Sequence, residues 1–279
     1  MKIIKVTNIE KFATKILPKQ PQKNRIIVES ILKDVKKNGD VAIRKYEKKF
    51  SRANITTLRV SKAEIKNAYS KVSKIELDSL RLAKKRLEKT ESAIKSLLKN
   101  KTINQDGIKI SKKFIPIQSV GCYIPGGLAK YPSSVIMSVV PAKVAGVKRI
   151  VVVSPPNTDG KIDPLTIVAA NLCGANEIYK TGGVQSIAAL SYGTKSILKV
   201  DKIVGPGGAF VTTAKYLISD ETGIDMLAGP TELGIISDNS TNPKLIALDL
   251  ISQAEHSSDT LCYLITTSQK LANSVNKII

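Results

Sequence analysis

Between residues 115 and 232 the chain repeats the same order of apolar run, turn and helix-like segment, which limits the folds open to it. The run at 148–154 is rich in Ile and Val and ends at two prolines, as expected of a strand buried on both faces of a parallel sheet. Short strands are also predicted at 177–180 and 200–204, each followed by a Gly-rich turn. Since their spacing suits right-handed βαβ crossovers, residues 115–232 are predicted to form one parallel-sheet domain.

Gly-rich turns precede two of the predicted helices in this domain, at 181–183 and 205–208. Such turns join the carboxyl end of a strand to the amino end of a helix, where backbone N–H groups and the helix dipole favour anions such as nucleotide phosphates. Tight βα turns also use Gly for conformation alone. The turns therefore leave both interpretations open. The helices predicted here cover 133–146, 165–173, 184–192 and 209–218.

The charge is unevenly distributed along the chain. Residues 1–114 hold 31 Lys and Arg against 11 Asp and Glu, whereas residues 115–279 hold 13 against 12. This step predicts a domain boundary near residue 114. Apolar residues recur every three or four positions in 26–37 and 75–99, which predicts amphipathic helices with a basic exposed face.

The acidic residues of the basic half, Glu47 among them, are interspersed with the basic ones. This arrangement favours surface pairing between residues four apart over a stripe that binds phosphates. No recognition helix, zinc finger or aromatic stacking strip accompanies the charge. We therefore do not expect a nucleic-acid partner.

The composition excludes several classes of protein. With 279 residues, 42% hydrophobic and 24% charged, the chain is neither disordered, collagen-like nor a disulfide scaffold. No window has the ~18 apolar residues of a membrane helix, and the first residues do not form a signal-peptide core. We expect a soluble, cytoplasmic protein with no membrane partner. The three cysteines show no C-x-x-C spacing and are interpreted as reduced, buried thiols.

The last 47 or so residues repeat the pattern of strand and helix. Strands are predicted at 233–237 and 260–265, and helices at 243–256 and 269–279. A sheet of two strands is marginal, and the final amphipathic helix needs a partner for its apolar face. The expected fold class is α/β with two Rossmann-like parallel-sheet domains and an amino-terminal, Lys-rich helical region. The second domain, from 1–114 and 233–279, is expected to be incomplete at its carboxyl end.

The single histidine, His256, lies at the end of the motif S-Q-A-E-H at 252–256. Gln253 is three residues earlier and shares its helix face. Zinc sites use several Cys, His or carboxylate ligands, and Gln is a rare one. On spacing alone, half of a metal site and a packed helix-end histidine both remain open.

Five motifs in this order resemble the histidinol dehydrogenase family, and the resemblance extends over essentially the whole chain. It implies NAD-linked, zinc-dependent oxidation of L-histidinol through L-histidinaldehyde to L-histidine by a homodimer with shared active sites. The motifs are V-G-C-Y-I-P-G-G at 120–127, T-G-G-V-Q-S-I-A-A-L at 181–190, V-D-K-I-V-G-P-G at 200–207, A-G-P-T-E at 228–232 and S-Q-A-E-H at 252–256.

The resemblance also implies roles for individual residues. Tyr123 and Gln185 match contacts in the family's NAD site, and a third contact falls at Gly208, where the family has Asn. Thr231 matches a serine that contacts the substrate. Gln253 and His256 match two zinc ligands that also lie close to the substrate.

Other parts of the family's site have no match in this chain. These are an Asp and a His that bind zinc and a Glu-His pair that serves as general base; with one His in the chain, Glu255–His256 is not that pair. No catalytic residue is therefore assigned, and we expect the chain to be a fragment. Two alternatives remain: a non-catalytic scaffold that binds a nucleotide or an acidic partner, and an oxidoreductase with Cys122 or Cys173 as nucleophile.

Overall fold

The computed structural model describes residues 2–16, 22–126, 130–227, 232–255 and 260–279. Contacts group the chain into two compact units, residues 23–227 and residues 1–22 with 228–279. In chain order the elements are α1 Ile9–Ile16, α2 Gln22–Phe50, α3 Lys62–Tyr69, α4 Lys74–Ser96, β1 Lys101–Gln105, β2 Ile108–Lys112, β3 Ser119–Tyr123, α5 Pro132–Ala145, β4 Arg149–Ser154, α6 Pro164–Cys173, β5 Glu177–Lys180, α7 Gly183–Tyr192, β6 Lys202–Val204, α8 Ala209–Leu217, β7 Gly223–Ile224, β8 Glu232–Ile236, α9 Pro243–Ala254, β9 Leu261–Ile265 and α10 Gln269–Ile278.

The larger unit is built on a five-stranded sheet in the order β5-β4-β3-β6-β7. Every neighbouring pair is parallel, for example Val120 beside Ile150 on one side of β3 and beside Lys202 on the other. The chain builds outward from β3 through β4 to β5 and then returns to the other side of β3. This is the strand order of a doubly wound sheet, with its reversal point between β3 and β6.

The sheet is covered on both faces, which explains the continuous apolar runs of its strands. Val151 and Val153 of β4 lie in a core shared with α2, α7 and α8. Ile150 and Val152 lie in a second core shared with α3 to α6. The α/β fold with a parallel sheet is confirmed, and the predicted helices and strands of this region lie within two residues of the observed ones.

The basic helices of the amino-terminal half pack against this sheet. Val28 and Ile43 of α2 are fully buried in the core on one face, and Leu80 of α4 is buried in the core on the other. The expected boundary near residue 114 therefore lies inside one compact unit. The charged residues lie on the solvent-exposed faces of these helices, whereas the apolar faces pack against the sheet. A change in charge along the chain therefore does not indicate a domain boundary here.

A hairpin formed by β1 and β2 follows α4 and was not predicted. Its register pairs Ile103 with Ile110, and all ten strand residues are exposed. Asp106 and Gly107 form its turn. An Asp-Gly pair between two short runs is the strongest local signal for a two-residue hairpin, so the sequence contained the information needed to predict it.

The smaller unit contains β8 and β9, which pair in parallel. Helices α9 and α10 supply its core, and Ile246, Leu250, Leu271 and Val275 are buried there. The two strands and two helices predicted after residue 232 are confirmed. In the part of the chain that the structure describes, no helix is both long and apolar enough to cross a membrane.

Candidate functional site

Loops that follow β3, β4 and β5 meet at the carboxyl edge of the sheet. A Cβ atom on Gly126, after β3, would lie 2.5 Å from Pro155 Cγ, and one on Gly182, after β5, would lie 2.5 Å from Pro155 Cβ. Pro155 itself follows β4. The two Gly residues are therefore required by close packing, and the three loops form one surface.

The loop after β6 approaches the same place from the other side of β3. Gly205 has a φ of +119°, and a Cβ on it would lie 2.1 Å from the Tyr123 carbonyl oxygen. This contact lies at the reversal point of the sheet. In open parallel sheets, ligands bind in the crevice outside the carboxyl ends of the strands at that point.

A buried lysine holds the β6 loop in place. Lys215 of α8 is 2% exposed, and its Nζ donates to the carbonyl oxygens of Gly205 at 2.9 Å and Met226 at 3.0 Å and to the carboxylate of Asp225. Asp225 Oδ2 also accepts a hydrogen bond from Gly205 N at 2.8 Å. Although burial opposes ionisation, these hydrogen bonds lower the pKa of Asp225.

Tyr123, predicted to contact NAD, ends β3 at this edge. Its hydroxyl oxygen accepts a long hydrogen bond of 3.4 Å from Gly183 N. Burial raises the pKa of Tyr123 to about 12, so the hydroxyl keeps its proton at neutral pH.

Gln185, the second residue predicted to contact NAD, lies in the first turn of α7 and is 2% exposed. Its Nε2 donates to Glu47 Oε1 at 2.8 Å. Among the described residues, its buried Oε1 has no hydrogen-bond partner. A buried acceptor without a partner costs about 1–3 kcal/mol, so this atom is a candidate for a ligand contact.

Gly183 brings Tyr123 and Gln185 together. Its N–H points to the Tyr123 hydroxyl, and a Cβ at this residue would lie 3.1 Å from Gln185 Oε1. Its φ of +56° also lies in the left-handed region, where Gly is favoured. The structure therefore places two of the three predicted NAD contacts on either side of one backbone residue.

Glu47 of α2 completes this cluster and was missed by the sequence analysis, which placed it among surface acidic residues. It is fully buried, and its carboxylate accepts hydrogen bonds from Thr181 Oγ1, Gly182 N and Gln185 Nε2. The missed signal is its position in the helix. Glu47 is four residues after Ile43 and follows Tyr46, both buried, so it falls on the apolar stripe.

Gly208, the third predicted NAD contact, is the N-cap of α8 and makes no side-chain capping bond. A Cβ there would have no atom within 4 Å. The site therefore has room for the Asn that the resemblance implies there, but this chain offers no side-chain amide at that position.

The predicted zinc and substrate residues belong to the other compact unit. Gln253 is half-buried near the end of α9. Thr231 and His256 lie outside the described residues. No group of three or more His, Cys, Asp or Glu that could hold a metal ion occurs within the described ranges. By themselves, the described residues therefore do not make up a zinc site.

The two cysteines considered as nucleophiles are poorly suited to that role. Cys122 and Cys173 are both buried. Burial raises the pKa of Cys122 to about 12 and that of Cys173 to about 11. At neutral pH, thiols with these pKa values are almost fully protonated, whereas the thiolate is the form that acts as a nucleophile. The raised pKa values therefore argue against a catalytic cysteine.

These features define the class to which the larger unit belongs: a doubly wound parallel α/β fold with close-packed loops at its reversal point. A family model described as histidinol dehydrogenase matches residues 17–279. The chain therefore belongs to the histidinol dehydrogenase family.

Similar proteins agree with this assignment. The histidinol dehydrogenase of Methanocaldococcus jannaschii is 45% identical over 252 residues, which cover 90% of this chain and 59% of that protein. The histidinol dehydrogenase of Clostridium acetobutylicum is 45% identical over 270 residues, covering 95% and 62%. A crystal structure of histidinol dehydrogenase from Elizabethkingia anophelis matches with a TM-score of 0.84 and 36% identity, covering 97% of this chain and 63% of that one. The chain spans about three fifths of the length of these relatives.

Proposed function

We propose that this chain is the NAD-binding part of a histidinol dehydrogenase, which oxidises L-histidinol through L-histidinaldehyde to L-histidine. The observation that supports the proposal most strongly is the meeting of Tyr123 and Gln185 at Gly183 on the carboxyl edge of the sheet. The resemblance of their motifs to the family implies, independently of this geometry, that both residues contact NAD. NAD, when bound, would accept the hydride from the substrate.

The side chains at this edge suit a dinucleotide. The Tyr123 hydroxyl retains its proton and can donate it in a hydrogen bond, while Gln185 Oε1 can accept one. Tyr123 and Gln185 are both buried, and hydrogen bonds to a ligand are stronger in such a water-poor site than in bulk water. The role of these residues would be to bind and orient the dinucleotide.

Zinc and the substrate enter the proposal through the second unit. Gln253 and His256 would each give one zinc ligand and contact L-histidinol, and Thr231 would offer a hydroxyl to the substrate. Zinc sites normally use three or four protein ligands, so other ligands are needed besides these two. We assign no catalytic base to this chain, because its one histidine belongs to the metal motif.

The remaining parts of the proposal concern the setting of the protein. We propose a homodimer in the cytoplasm that acts on a small-molecule substrate without a nucleic-acid or membrane partner. The apolar faces of the basic helices α2 to α4 pack against the sheet, which gives these helices a structural role that requires no nucleic acid.

The experiment that tests the function is NADH formation, followed by absorbance, with L-histidinol as substrate. Because the chain spans about 59% of the M. jannaschii relative, the assay uses the chain joined to the part of that relative that it does not span. We expect NADH formation that requires L-histidinol and added zinc and is lost in Gln253→Ala. A hybrid that unfolds cooperatively, binds zinc and forms no NADH would contradict the proposal.

A further inference from the structure

The carboxylate of Glu47 lies at the amino terminus of α7. Gly182 is the N-cap of that helix, and its backbone N–H donates to Glu47 Oε1 at 2.9 Å. Thr181 Oγ1 donates to the same oxygen at 2.8 Å, and Ser51 Oγ donates to Oε2 at 2.7 Å. An intramolecular anion therefore already occupies the place where a Gly-rich βα turn would otherwise take a phosphate.

A dinucleotide phosphate at this helix end would have to share it with the carboxylate. Two negative groups within hydrogen-bond distance of one N–H repel each other strongly where solvent is excluded, and Glu47 is fully buried. The Gly-rich turn at 181–183, one of the two for which the sequence left phosphate binding open, therefore already binds the carboxylate of Glu47.

The same carboxylate fixes the orientation of Gln185. A carboxylate can only accept hydrogen bonds, so the amide of Gln185 must turn its NH₂ group toward Glu47. Its Oε1 then lies on the opposite side, next to Gly183, with no partner among the described residues. Of the two amide orientations, Glu47 selects the one that offers an acceptor.

We propose that Glu47 is a positioning residue for NAD: it blocks phosphate binding at α7 and holds Gln185 so that Oε1 accepts from an N–H or O–H group of the dinucleotide. This inference rests on the proposed NAD site. It goes beyond the family's motifs because Glu47 lies in none of them, and its effect on the hydrogen bond to NAD is exerted through Gln185.

The first test is calorimetric titration of the 279-residue chain with NAD. We expect Glu47→Ala to weaken binding about tenfold or more. Glu47→Gln should stay within about threefold of the wild type, because its carbonyl can accept the three bonds of Oε1 and its NH₂ can donate to Ser51 Oγ. Glu29→Ala, at a partly exposed residue of the same helix paired with Arg25, is the matched control and should bind as the wild type does.

A double-mutant cycle separates positioning from general damage. If Glu47 acts through Gln185, then Glu47→Ala combined with Gln185→Ala binds NAD no more weakly than Gln185→Ala alone. Fully additive losses would overturn the inference. Should Glu47→Ala fail to fold, Glu47→Asp carries the test, because it keeps the charge but withdraws it from Gln185 and should bind more weakly than Glu47→Gln.

A second measurement does not depend on NAD. In ¹⁵N-labelled chain without ligand, the side-chain amide signals of Gln185 should shift in Glu47→Ala and stay in place in Glu29→Ala. If they do not move in Glu47→Ala, the positioning role is overturned. If they move and the wild-type chain shows no NAD binding, the proposed function fails while the contact between Glu47 and Gln185 stands.

Discussion

Gly208 lies at the amino end of α8, at a position where the resemblance to the family implies an Asn. Its φ of −66° is open to any residue, and a Cβ atom at that place would have no neighbour within 4 Å. Asn is also a better N-cap than Gly, by a few tenths of a kcal/mol. The loss of an amide there is therefore a property of this chain that substitution can reverse.

We expect Gly208→Asn to bind NAD about three to ten times more tightly, because one added hydrogen bond contributes roughly 0.5–1.5 kcal/mol. Calorimetric titration with NAD measures the change. Gly208→Ala, which adds a Cβ without an amide, should leave the affinity unaltered. Equal affinities for the Asn variant and the wild type would count against a dinucleotide contact at residue 208.

Asp34 of α2 provides a test of the local electrostatics. Its carboxylate accepts hydrogen bonds from Lys45 Nζ, Asn38 Nδ2 and Tyr46 OH, all within 2.8 Å. The bond from Lys45 is the main cause that lowers the pKa of Asp34 to about 2. Because the folded-state pKa is depressed, this group stabilises the fold above its unfolded pKa, and the contribution is lost as the pH falls toward 2.

Asp34→Asn should therefore be less stable than the wild type at pH 6. The difference between their free energies of unfolding should become smaller as the pH is lowered from about 5 to 2.5. Urea unfolding at a series of pH values measures it. A gap that stays constant over this range would show that Asp34 does not titrate as the hydrogen bonds require.

At the scale of elements, the β6 loop depends on α8. The Lys215 ammonium group donates to the carbonyl oxygens of both Gly205 and Met226, so it ties the start of the loop to the segment that follows β7. Lys215 also forms an ion pair with the carboxylate of Asp225. Removing one member of a buried ion pair leaves the other charge uncompensated.

Lys215→Met should lower the free energy of unfolding by about 2–4 kcal/mol, somewhat less than for a fully buried pair, because the side chain of Asp225 is 29% exposed. Chemical denaturation measures the loss. Lys195→Met, at an exposed lysine, is the matched control and should change stability by less than about 0.5 kcal/mol. Equal stabilities of the two variants would contradict the role given to Lys215.

The elements that could be predicted from the sequence are those with a local signal. β5 is predicted at its observed bounds because this short segment ends at a Gly-rich turn that opens a helix. Tyr123, Gln185 and Gly208 could be predicted only from the family motifs, since nothing in their spacing distinguishes a ligand contact from a packed residue.

Glu47 and Lys215 could not be assigned in the same way. Each is a charged residue whose partners lie far away in sequence or across a loop: Glu47 contacts residues 134 to 138 positions later, and Lys215 contacts residues on both sides of β7. Helical position marks Glu47 as facing the core, but only the fold shows that the core there is the amino end of α7.

At the scale of the whole molecule, the uneven charge proved a poor guide to domain structure. The Lys-rich helices α2 to α4 belong to the same compact unit as the sheet, and they cover both of its faces. The charge difference instead separates the amino-terminal helices, and the hairpin that follows them, from the strands of the sheet and the helices that connect them. The same packing brings Glu47 from the basic half into the site at the carboxyl edge of the sheet.

NAD is proposed to bind at the reversal point of this sheet, and a crystal structure of the chain with NAD shows whether it does. We predict that the dinucleotide lies outside the carboxyl ends of β3 and β6, within hydrogen-bond distance of Tyr123 and Gln185 Oε1, while Glu47 stays on the α7 amino terminus. NAD phosphates on the N–H groups of Gly182 and Gly183, with Glu47 displaced, would contradict this account, as would NAD bound elsewhere on the chain.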